Sequence, residues 1–454
     1  MALESINPAT GELLEAFEEW HAAKTESVVA DVHGAWLDWR LTSFAQRADL
    51  MKKAAAGLRG NSEEYARMMA LEMGKPIAEG RGEVEKCAWV CDYYAGNASR
   101  FLAPEPVEIE NASAYVAFRP LGTVLAVMPW NFPFWQVFRF AAPALMAGNT
   151  ALLKHSSNVP RCALAIEEVF RRAGFPANVF RTLMVSSRQV DAVIEDSRVA
   201  AVTLTGSNFA GSRVAAAAGR MLKKSVLELG GSDPFIVLAD ADLEEAARTA
   251  ARARCINSGQ SCIAAKRFIV LDAVYDAFLE HFKKAMAALV VGDPLEEATQ
   301  VGPQAREDLM DELHGQVKDA VAAGAQVVLG GRPLERQGYF YPPTILAGVK
   351  PGMKAYHEEL FGPVASVIKV GDPDQAVTVA NDSPFGLGGS VWTGDRRKGE
   401  EVAARLETGC VFVNGLVKSD PRLPFGGVKG SGYGRELSHY GIREFVNIQT
   451  VMIA

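Results

Sequence analysis

The chain has 454 residues, of which 49% are hydrophobic, and this is enough apolar material to fill the cores of two or three globular domains. Its 47 lysines and arginines and its 54 aspartates and glutamates give a net charge of −7, and positive and negative residues are mixed along the sequence. Because the sequence has neither a basic stripe nor an apolar run of bilayer length, we expect neither nucleic acid nor a membrane as a partner.

The N-terminus and the cysteines favour a reducing compartment. Residues 1–6 contain no basic region followed by an apolar core, so they do not resemble a signal peptide. Six cysteines in so long a chain make no disulfide framework, and their spacings form no paired CxxC set for zinc. We expect reduced thiols, a cytoplasmic location and no bound metal.

The first part of the chain, residues 1–100, shows mainly helical patterns. Asn61-Ser-Glu-Glu64 has the composition of a capping box, and Gly74 is a typical stop after a helix over residues 65–73. From Gly122 the pattern changes to short β-branched runs that alternate with amphipathic helical stretches. The strands predicted in this first set lie at residues 123–128, 150–154, 179–183, 199–205 and 225–229.

A second alternating set follows and predicts a second domain. Its predicted strands lie at residues 235–238, 267–271, 326–329, 365–370 and 410–414, with helices such as 242–253 and 273–289 between them. The alternation indicates βαβ units, so we predict an α/β protein with two doubly wound, mostly parallel sheets that share one cleft.

Residues 421–434 are predicted to form a long ordered loop. Residues 445–453 form a final apolar strand that favours pairing with another element or another subunit.

Three motifs carry candidate catalytic chemistry. Cys262 ends the small, glycine-containing turn Asn257-Ser-Gly-Gln-Ser-Cys262, which can present a thiolate. Glu228, in Glu228-Leu-Gly-Gly231, can serve as a base. The asparagine of Pro129-Trp-Asn-Phe-Pro133 is fixed in a rigid apolar turn and can donate to a developing oxyanion. The same residues also fit a buried cysteine and an asparagine that only stabilises its own turn.

Two further motifs lie where strands end and indicate a nucleotide site. Thr205-Gly-Ser-Asn-Phe-Ala-Gly211 follows an apolar strand and opens a helix, so its backbone N–H groups can face a phosphate. Lys154-His-Ser-Ser157 lies at the carboxyl edge of the first sheet, where doubly wound folds bind nucleotides. Each motif alone also fits an ordinary strand-to-helix turn or a solvated lysine.

Taken in order, the motifs resemble the aldehyde dehydrogenase superfamily along nearly the whole chain. The resemblance is carried by Asn7-Pro-Ala-Thr-Gly11, Pro129-Trp-Asn-Phe-Pro133, Lys154-His-Ser-Ser157, Thr205-Gly-Ser207 with Gly211, Glu228-Leu-Gly-Gly231, Gly259-Gln-Ser-Cys262, Glu359-Leu-Phe-Gly-Pro363 and Pro424-Phe-Gly-Gly427. It implies two doubly wound α/β domains plus a small β oligomerisation arm, assembled as a homodimer or homotetramer. The implied divisions are a cofactor-binding domain at residues 1–107 and 127–229, a catalytic domain at 230–422, and oligomerisation strands at 108–126 and 430–454.

The resemblance also implies NAD(P)-dependent oxidation of an aldehyde. Cys262 resembles the nucleophile that forms a thiohemiacetal and then a thioester, and Glu228 resembles the base that activates water. Asn131, with the backbone N–H of Cys262, resembles the family's oxyanion hole. The positions that match cofactor contacts of the family are Trp130, Lys154, Ser157, Thr205, Gly206, Ser207, Gly211, Glu359 and Phe361.

The expected cofactor is NADP, with NAD less preferred. Family members that prefer NAD usually carry a glutamate three residues after the lysine, and this chain has Ser157 there. A small neutral hydroxyl beside Lys154 leaves room and positive charge for a 2′-phosphate.

The implied reaction is oxidation of succinate semialdehyde to succinate. Arg139 matches an arginine that binds the distal carboxylate of this substrate in the family, and Ser419 falls on the loop that lines the same pocket. Arg139 also fits an ordinary surface arginine. Many relatives that use this substrate have a second arginine where this chain has Ile256, and some have a redox-switch cysteine where it has Ala264. The open alternatives are glutarate semialdehyde, an uncharged aliphatic aldehyde, a thiol esterase and a catalytically silent relative.

Overall fold

The computed structural model describes residues 3–110 and 112–453. Its α-helices are α1 Ala22–Trp39, α2 Phe44–Gly60, α3 Ser62–Met73, α4 Ile77–Phe101, α5 Trp135–Ala147, α6 Pro160–Arg172, α7 Val190–Glu195, α8 Asn208–Arg220, α9 Leu243–Cys255, α10 Tyr275–Ala287, α11 Glu307–Ala322, α12 Lys354–His357, α13 Pro373–Asn381, α14 Arg396–Ala403 and α15 Ser438–Ile442. Its strands are β1 Leu3–Asn7, β2 Glu12–Phe17, β3 Glu105–Ile109, β4 Ala112–Pro120, β5 Thr123–Met128, β6 Thr150–His155, β7 Phe180–Thr182, β8 Val199–Thr205, β9 Lys224–Glu228, β10 Asp233–Val237, β11 Ala265–Leu271, β12 Gln326–Leu329, β13 Thr344–Ala347, β14 Val364–Val370, β15 Phe385–Gly386, β16 Gly388–Trp392, β17 Cys410–Val413, β18 Val428–Lys429, β19 Gly432–Tyr433 and β20 Val446–Ile453.

Two large sheets organise the fold. The first has the order β19-β9-β8-β5-β6-β7, and the second has the order β12-β13-β14-β11-β10-β16-β17. Neighbouring strands are parallel in both sheets except at one edge of each, where β19 and β12 run antiparallel to their neighbours. The predicted α/β class with two doubly wound sheets is therefore confirmed, and a small antiparallel sheet, β20-β4-β3, lies beside them.

The first sheet is buried on both faces, as expected of a parallel sheet covered by helices. In β5, Val124, Leu125 and Ala126 are fully buried. The following helix, α5, is buried at every one of its positions, which is typical of a helix inside a core rather than on a surface. None of the helices in the described parts of the chain has the length and apolar character to cross a bilayer.

The mainly helical character predicted for the first hundred residues is confirmed by α1–α4, and one detail of the prediction is wrong. Before α1 the chain forms the antiparallel pair β1–β2, which the sequence did not predict. Asn61 does not cap α3, because its side-chain nitrogen donates to the Gly57 carbonyl at 2.8 Å and so closes the end of α2. The predicted stop at Gly74 is confirmed, since Gly74 ends α3 in the left-handed conformation with φ 78°.

The predicted boundaries of the oligomerisation strands also need correction. Thr123–Met128 lies in the middle of the first large sheet, so the predicted segment 108–126 overlaps a core strand. Gly432–Tyr433 pairs with β9, so this part of segment 430–454 belongs to the same large sheet. The separate small sheet consists of β3, β4 and β20, with β20 and β4 paired along their length.

Candidate active site

The candidate residues come from segments at the strand ends of both large sheets. In the first sheet β6 and β8 lie on opposite sides of β5, and a crevice forms at the carboxyl ends of strands at such a switch point. The candidate motifs follow the carboxyl ends of β5, β6, β8 and β9. The second sheet contributes the loop that carries Cys262, just before β11, and the segment that carries Glu359, just before β14.

The loop before Cys262 is held in an unusual backbone conformation. Asn257, Ser258 and Gly259 are consecutive residues with φ of 53°, 56° and 76°. Such strain persists only where the surroundings fix it. The Asn257 backbone N–H donates to Glu79 Oε2 at 2.7 Å, and its side-chain nitrogen donates to the Asn131 carbonyl at 2.7 Å. The first bond connects the cysteine loop to α4, and the second connects it directly to the turn that carries Asn131.

Cys262 lies on the wall of a cavity of about 1130 Å³. Burial raises the pKa of its thiol to about 12, while the positive charges of Lys266 and Arg139 act in the opposite direction. The thiol of the free enzyme is therefore protonated near neutral pH. Lys266 also donates to the backbone carbonyls of Ser261 and Cys262, both at 2.8 Å, so the nearest cation is tied to the cysteine loop itself.

The amide of Asn131 is fixed beside the cysteine loop. Its nitrogen donates to the Gln260 carbonyl at 3.1 Å, and its oxygen accepts from Gln136 Nε2 at 3.1 Å. An asparagine amide has two N–H donors, so one of them remains for a substrate oxygen. Asn131 is buried, which strengthens any hydrogen bond that it makes there.

A buried ion pair that the sequence did not reveal supports this turn. Lys75 pairs with Glu83, and Lys75 Nζ donates to the Asn131 carbonyl at 3.0 Å. The other oxygen of Glu83 accepts from the backbone N–H groups of Phe134 and Trp135, both at 2.9 Å, at the start of α5. A carboxylate is stabilised at a helix N-terminus, so Glu83 fixes both the turn and the helix that follows it.

Glu228 ends β9 in a buried position, and neither of its carboxylate oxygens accepts a hydrogen bond from residues 3–110 or 112–453. Burial raises its pKa well above the usual value, the charge of Glu436 raises it further, and Arg139 lowers it. A buried carboxyl group with a raised pKa has the properties of a general acid or base.

Arg139 differs from both sequence interpretations. It is 3% exposed on α5, so it is not a surface arginine. Its guanidinium also has a carboxylate partner within the protein, Glu436, and donates to Thr205 Oγ1 at 3.2 Å. The sequence suggested an arginine that is free to hold a substrate carboxylate. The positive charge of Arg139 lowers the pKa of both buried carboxyl groups, Glu436 and Glu228.

Glu359 faces the Glu228-Leu-Gly-Gly231 turn. Its Oε1 accepts from the Gly231 N–H at 3.2 Å and lies 3.1 Å from Lys266 Nζ. A Cβ at Gly230 would lie 2.5 Å from the other oxygen of Glu359, so a side chain there would displace this carboxylate from its present position. Nearby, Trp130 and Phe361 meet edge to face with their ring centroids 5.8 Å apart. Positions far apart in the sequence thus converge on one side of the cleft.

The strand-end motifs lie on the same edge. Lys154 is largely buried near the end of β6, and burial lowers its pKa. Ser207 caps α8, where its hydroxyl accepts from the Ala210 N–H at 3.3 Å, and the Gly206 N–H donates to the Glu228 carbonyl at 3.0 Å. These contacts join the predicted phosphate turn to the predicted base.

Gly211 is packed inside the protein. It is buried in α8, and a Cβ there would lie 2.5 Å from the Leu229 side chain. The glycine therefore allows α8 to pack closely on the segment after β9. Its contact with a cofactor stays a prediction.

Ser419 lies in the same cavity as Cys262, and the structure reveals a neighbour for it that sequence reasoning missed. The Lys86 ammonium, on α4, donates to Ser419 Oγ at 2.7 Å. No local motif marks Lys86, because its partner is 333 positions away.

Comparisons with known proteins agree with this geometry. The chain is 52% identical over 457 residues to succinate-semialdehyde dehydrogenase NADP(+) 1 of Mycobacterium tuberculosis, and each chain is fully covered. A solved structure of succinic semialdehyde dehydrogenase from Streptococcus pyogenes in complex with NADP+ matches with a TM-score of 0.97 and 40% identity over 99% of each chain. The structure of Gox0499 matches with a TM-score of 0.99 and 42% identity over 100% of each chain.

The match to a family extends over almost the whole chain. The model of the aldehyde dehydrogenase family matches residues 1–451. With the full-length identities above, this shows that the chain belongs to the aldehyde dehydrogenase family.

Proposed function

We propose that this protein oxidises succinate semialdehyde to succinate with NADP. The observation that carries the proposal is a single cavity whose wall includes Cys262 together with the cationic side chains of Lys86 and Arg139 and the hydroxyl of Ser419. The cavity wall carries side chains of both charge signs, and within it a nucleophile, a lysine and a neighbouring hydroxyl fit an aldehyde that also carries a carboxylate. The names of the relatives from Mycobacterium tuberculosis and Streptococcus pyogenes support the same substrate and cofactor.

The first step forms a bond between Cys262 Sγ and the aldehyde carbon. The thiol must lose its proton, and the charges of Lys266 and Arg139 favour the thiolate. Negative charge then develops on the aldehyde oxygen, where the Asn131 amide and the Cys262 backbone N–H can donate to it. The product on the protein is a thiohemiacetal.

The second half of the reaction releases the acid. NADP, when bound, supplies the hydride acceptor that allows the thiohemiacetal to become a thioester. Glu228 then removes a proton from the water that attacks the thioester carbon, and the bond to Sγ breaks to give succinate and the free thiol. Because Glu228 acts in its deprotonated form and its pKa is raised, we expect thioester hydrolysis to accelerate as the pH rises through that pKa.

The residues on the cofactor side fit NADP. Lys154 forms no ion pair within the described part of the protein, and Ser157 is a small neutral residue that is partly exposed. A cation without a carboxylate partner at the carboxyl end of β6 suits a phosphate. Glu359 can hold the nicotinamide ribose, and Trp130 with Phe361 can flank the ring. A thiol esterase would use none of these residues, so their presence favours the dehydrogenase.

A panel of aldehydes tests the proposal. Reduced nicotinamide would be followed by absorbance for succinate semialdehyde, glutarate semialdehyde and butanal, each with NADP and with NAD. We expect the highest kcat/KM for succinate semialdehyde with NADP. A higher value for butanal would contradict the substrate, and a higher value with NAD would contradict the cofactor.

Ser157→Glu should shift the cofactor preference toward NAD. A carboxylate beside Lys154 would repel the 2′-phosphate, and we expect the ratio of kcat/KM for NADP to that for NAD to fall on the order of tenfold or more. Ser157→Ala is the matched control, because it changes the same position without adding charge. An unchanged ratio in Ser157→Glu would show that other residues set the preference.

Arg139→Met should weaken both the fold and the turnover of every aldehyde. Removing one partner of a buried ion pair typically lowers the free energy of unfolding by about 3–5 kcal/mol, and here it leaves Glu436 and Glu228 without their shared cation. Urea denaturation and kcat/KM for succinate semialdehyde and butanal would measure the two effects.

Arg405→Met is the control for Arg139→Met. It breaks an exposed pair with Asp374, and such pairs contribute about 0–1 kcal/mol. If Arg139→Met kept its stability and lost activity with succinate semialdehyde alone, the guanidinium would be a substrate clamp, as the sequence suggested.

The proposed assembly is a homodimer or homotetramer in the cytoplasm. The small sheet β3-β4-β20 carries exposed apolar side chains, among them Ile448, Met452 and Ile453, and an exposed apolar edge of this kind favours association. The six cysteines are free thiols, which agrees with a reducing compartment. The molar mass in solution, measured by light scattering, tests the assembly.

A further inference from the structure

Lys86 is a partly buried cation in the wall of the catalytic cavity. Its ammonium donates to Ser419 Oγ at 2.7 Å and lies 4.3 Å from the centroid of the Trp135 ring. The aromatic ring and the hydroxyl hold the end of this long side chain in place. Lys86 is therefore positioned rather than free in solvent.

The environment of Lys86 differs from that of the buried cations around the site. Lys75, Lys266 and Arg139 are each paired with a glutamate. Lys86 takes part in no ion pair in the described chain, and its partner is a neutral hydroxyl. Burying a positive charge without a counter-charge is unfavourable, so this position suits a ligand that brings its own negative charge.

We propose that Lys86 is the residue that selects acidic aldehydes, by binding the distal carboxylate of the substrate together with the Ser419 hydroxyl. Because Ser419 Oγ accepts from Lys86, its own O–H hydrogen remains to be donated to the carboxylate. Lys86 thus supplies charge and also orients the hydroxyl. The inference rests on the proposed oxidation of succinate semialdehyde and assigns its specificity to a residue outside the family motifs quoted above.

The local charges support this assignment. Burial, together with the positive charge of Arg139, lowers the pKa of Lys86 to about 8, while Glu83 and Asp420 act in the opposite direction. A bound carboxylate would stabilise the ammonium form. Arg139 adds positive charge to the same region, but its donors are shared with Glu436 and Thr205, whereas Lys86 has no anionic partner.

Lys86→Met tests the inference, because methionine keeps an unbranched side chain against Trp135 and removes the charge. The quantity to measure is the specificity ratio, defined as kcat/KM for succinate semialdehyde divided by kcat/KM for butanal, both with NADP. We expect this ratio to fall on the order of tenfold to a hundredfold, the effect of one charge-assisted hydrogen bond. Turnover of butanal reports that the variant is folded.

Two further variants serve as controls. Lys86→Arg keeps a positive charge and should retain most of the specificity ratio. Lys418→Met removes the exposed charge next to Ser419 in the chain and should leave the ratio close to that of the wild type. Together the two control variants distinguish the loss of a specific contact made by Lys86 from a general loss of positive charge near the cavity.

The pH dependence gives a readout that a purely structural role would not produce. In the wild type the specificity ratio should decline as the pH rises through about 8, because Lys86 loses the proton that makes it attractive to a carboxylate. Ionisation of Cys262 and Glu228 affects both aldehydes and largely cancels in the ratio. The decline should be absent from Lys86→Met and displaced to higher pH in Lys86→Arg.

The outcomes separate this inference from the proposed function. A wild type that prefers succinate semialdehyde, together with a Lys86→Met ratio that is unchanged, would overturn the role of Lys86 and leave the proposed substrate standing. Equal losses for both aldehydes would show that Lys86 is structural and would also overturn it. A wild type without any preference for the acidic aldehyde would contradict the proposed substrate itself.

Discussion

Replacing Cys262 with alanine should abolish aldehyde oxidation while NADP still binds. The thiol is the proposed site of bond formation with the aldehyde carbon, and its loss should lower kcat by about four orders of magnitude or more, as removal of a catalytic nucleophile typically does. The residues proposed to hold the cofactor, among them Lys154 and Glu359, are unchanged in this variant. Turnover of succinate semialdehyde and NADP binding by fluorescence titration would measure the two properties.

Cys410→Ala is the matched control for this experiment. Cys410 is a second partly exposed cysteine, and it lies at the start of β17. Activity that survives in Cys262→Ala, or activity that disappears equally in Cys410→Ala, would contradict the assignment of Cys262 as the nucleophile.

The second large effect is expected for Glu228→Gln. Glutamine keeps the shape of the side chain and cannot remove a proton from water, so hydrolysis of the thioester should slow by about two to four orders of magnitude. Hydride transfer precedes that step and should remain. Rapid mixing of enzyme, NADP and succinate semialdehyde should therefore give a burst of reduced cofactor close to one equivalent per site, followed by very slow turnover.

Loss of the burst itself would contradict this assignment, since it would place Glu228 before hydride transfer. The variant also removes a buried charge that accepts no hydrogen bond from the described chain, so we expect the fold to be retained. A large loss of stability in urea would indicate a structural role for the carboxylate.

Much of the architecture is readable from local sequence patterns. The strands over residues 123–128 and 199–205 lie where they were predicted, because runs of β-branched and apolar residues between turn signals are typical of buried parallel strands. β2 was missed because it is almost entirely exposed and so shows no alternation of apolar and polar residues. β16 was missed because it begins with Gly388 and Gly389, which have low strand propensity.

The functional site, like the fold, was only partly predictable from the sequence. Residues in contiguous motifs, such as Asn131, Glu228 and Cys262, could be nominated from sequence, and the structure joins the segments of Asn131 and Cys262 by hydrogen bonds. The partners that tune them could not be nominated. Arg139 meets Glu436, and Lys86 meets Ser419, through contacts between distant parts of the chain that leave no periodic or local signature.

The most direct test of the whole account is the mass of the Cys262 peptide after Glu228→Gln reacts with succinate semialdehyde and NADP. The reaction would be quenched in acid during the slow phase, and the digested protein would be examined by mass spectrometry. The account predicts an added mass of one succinyl group, as a thioester, on the peptide that contains Cys262. An unmodified Cys262 peptide while reduced cofactor has formed, or the succinyl group on another residue, would contradict it.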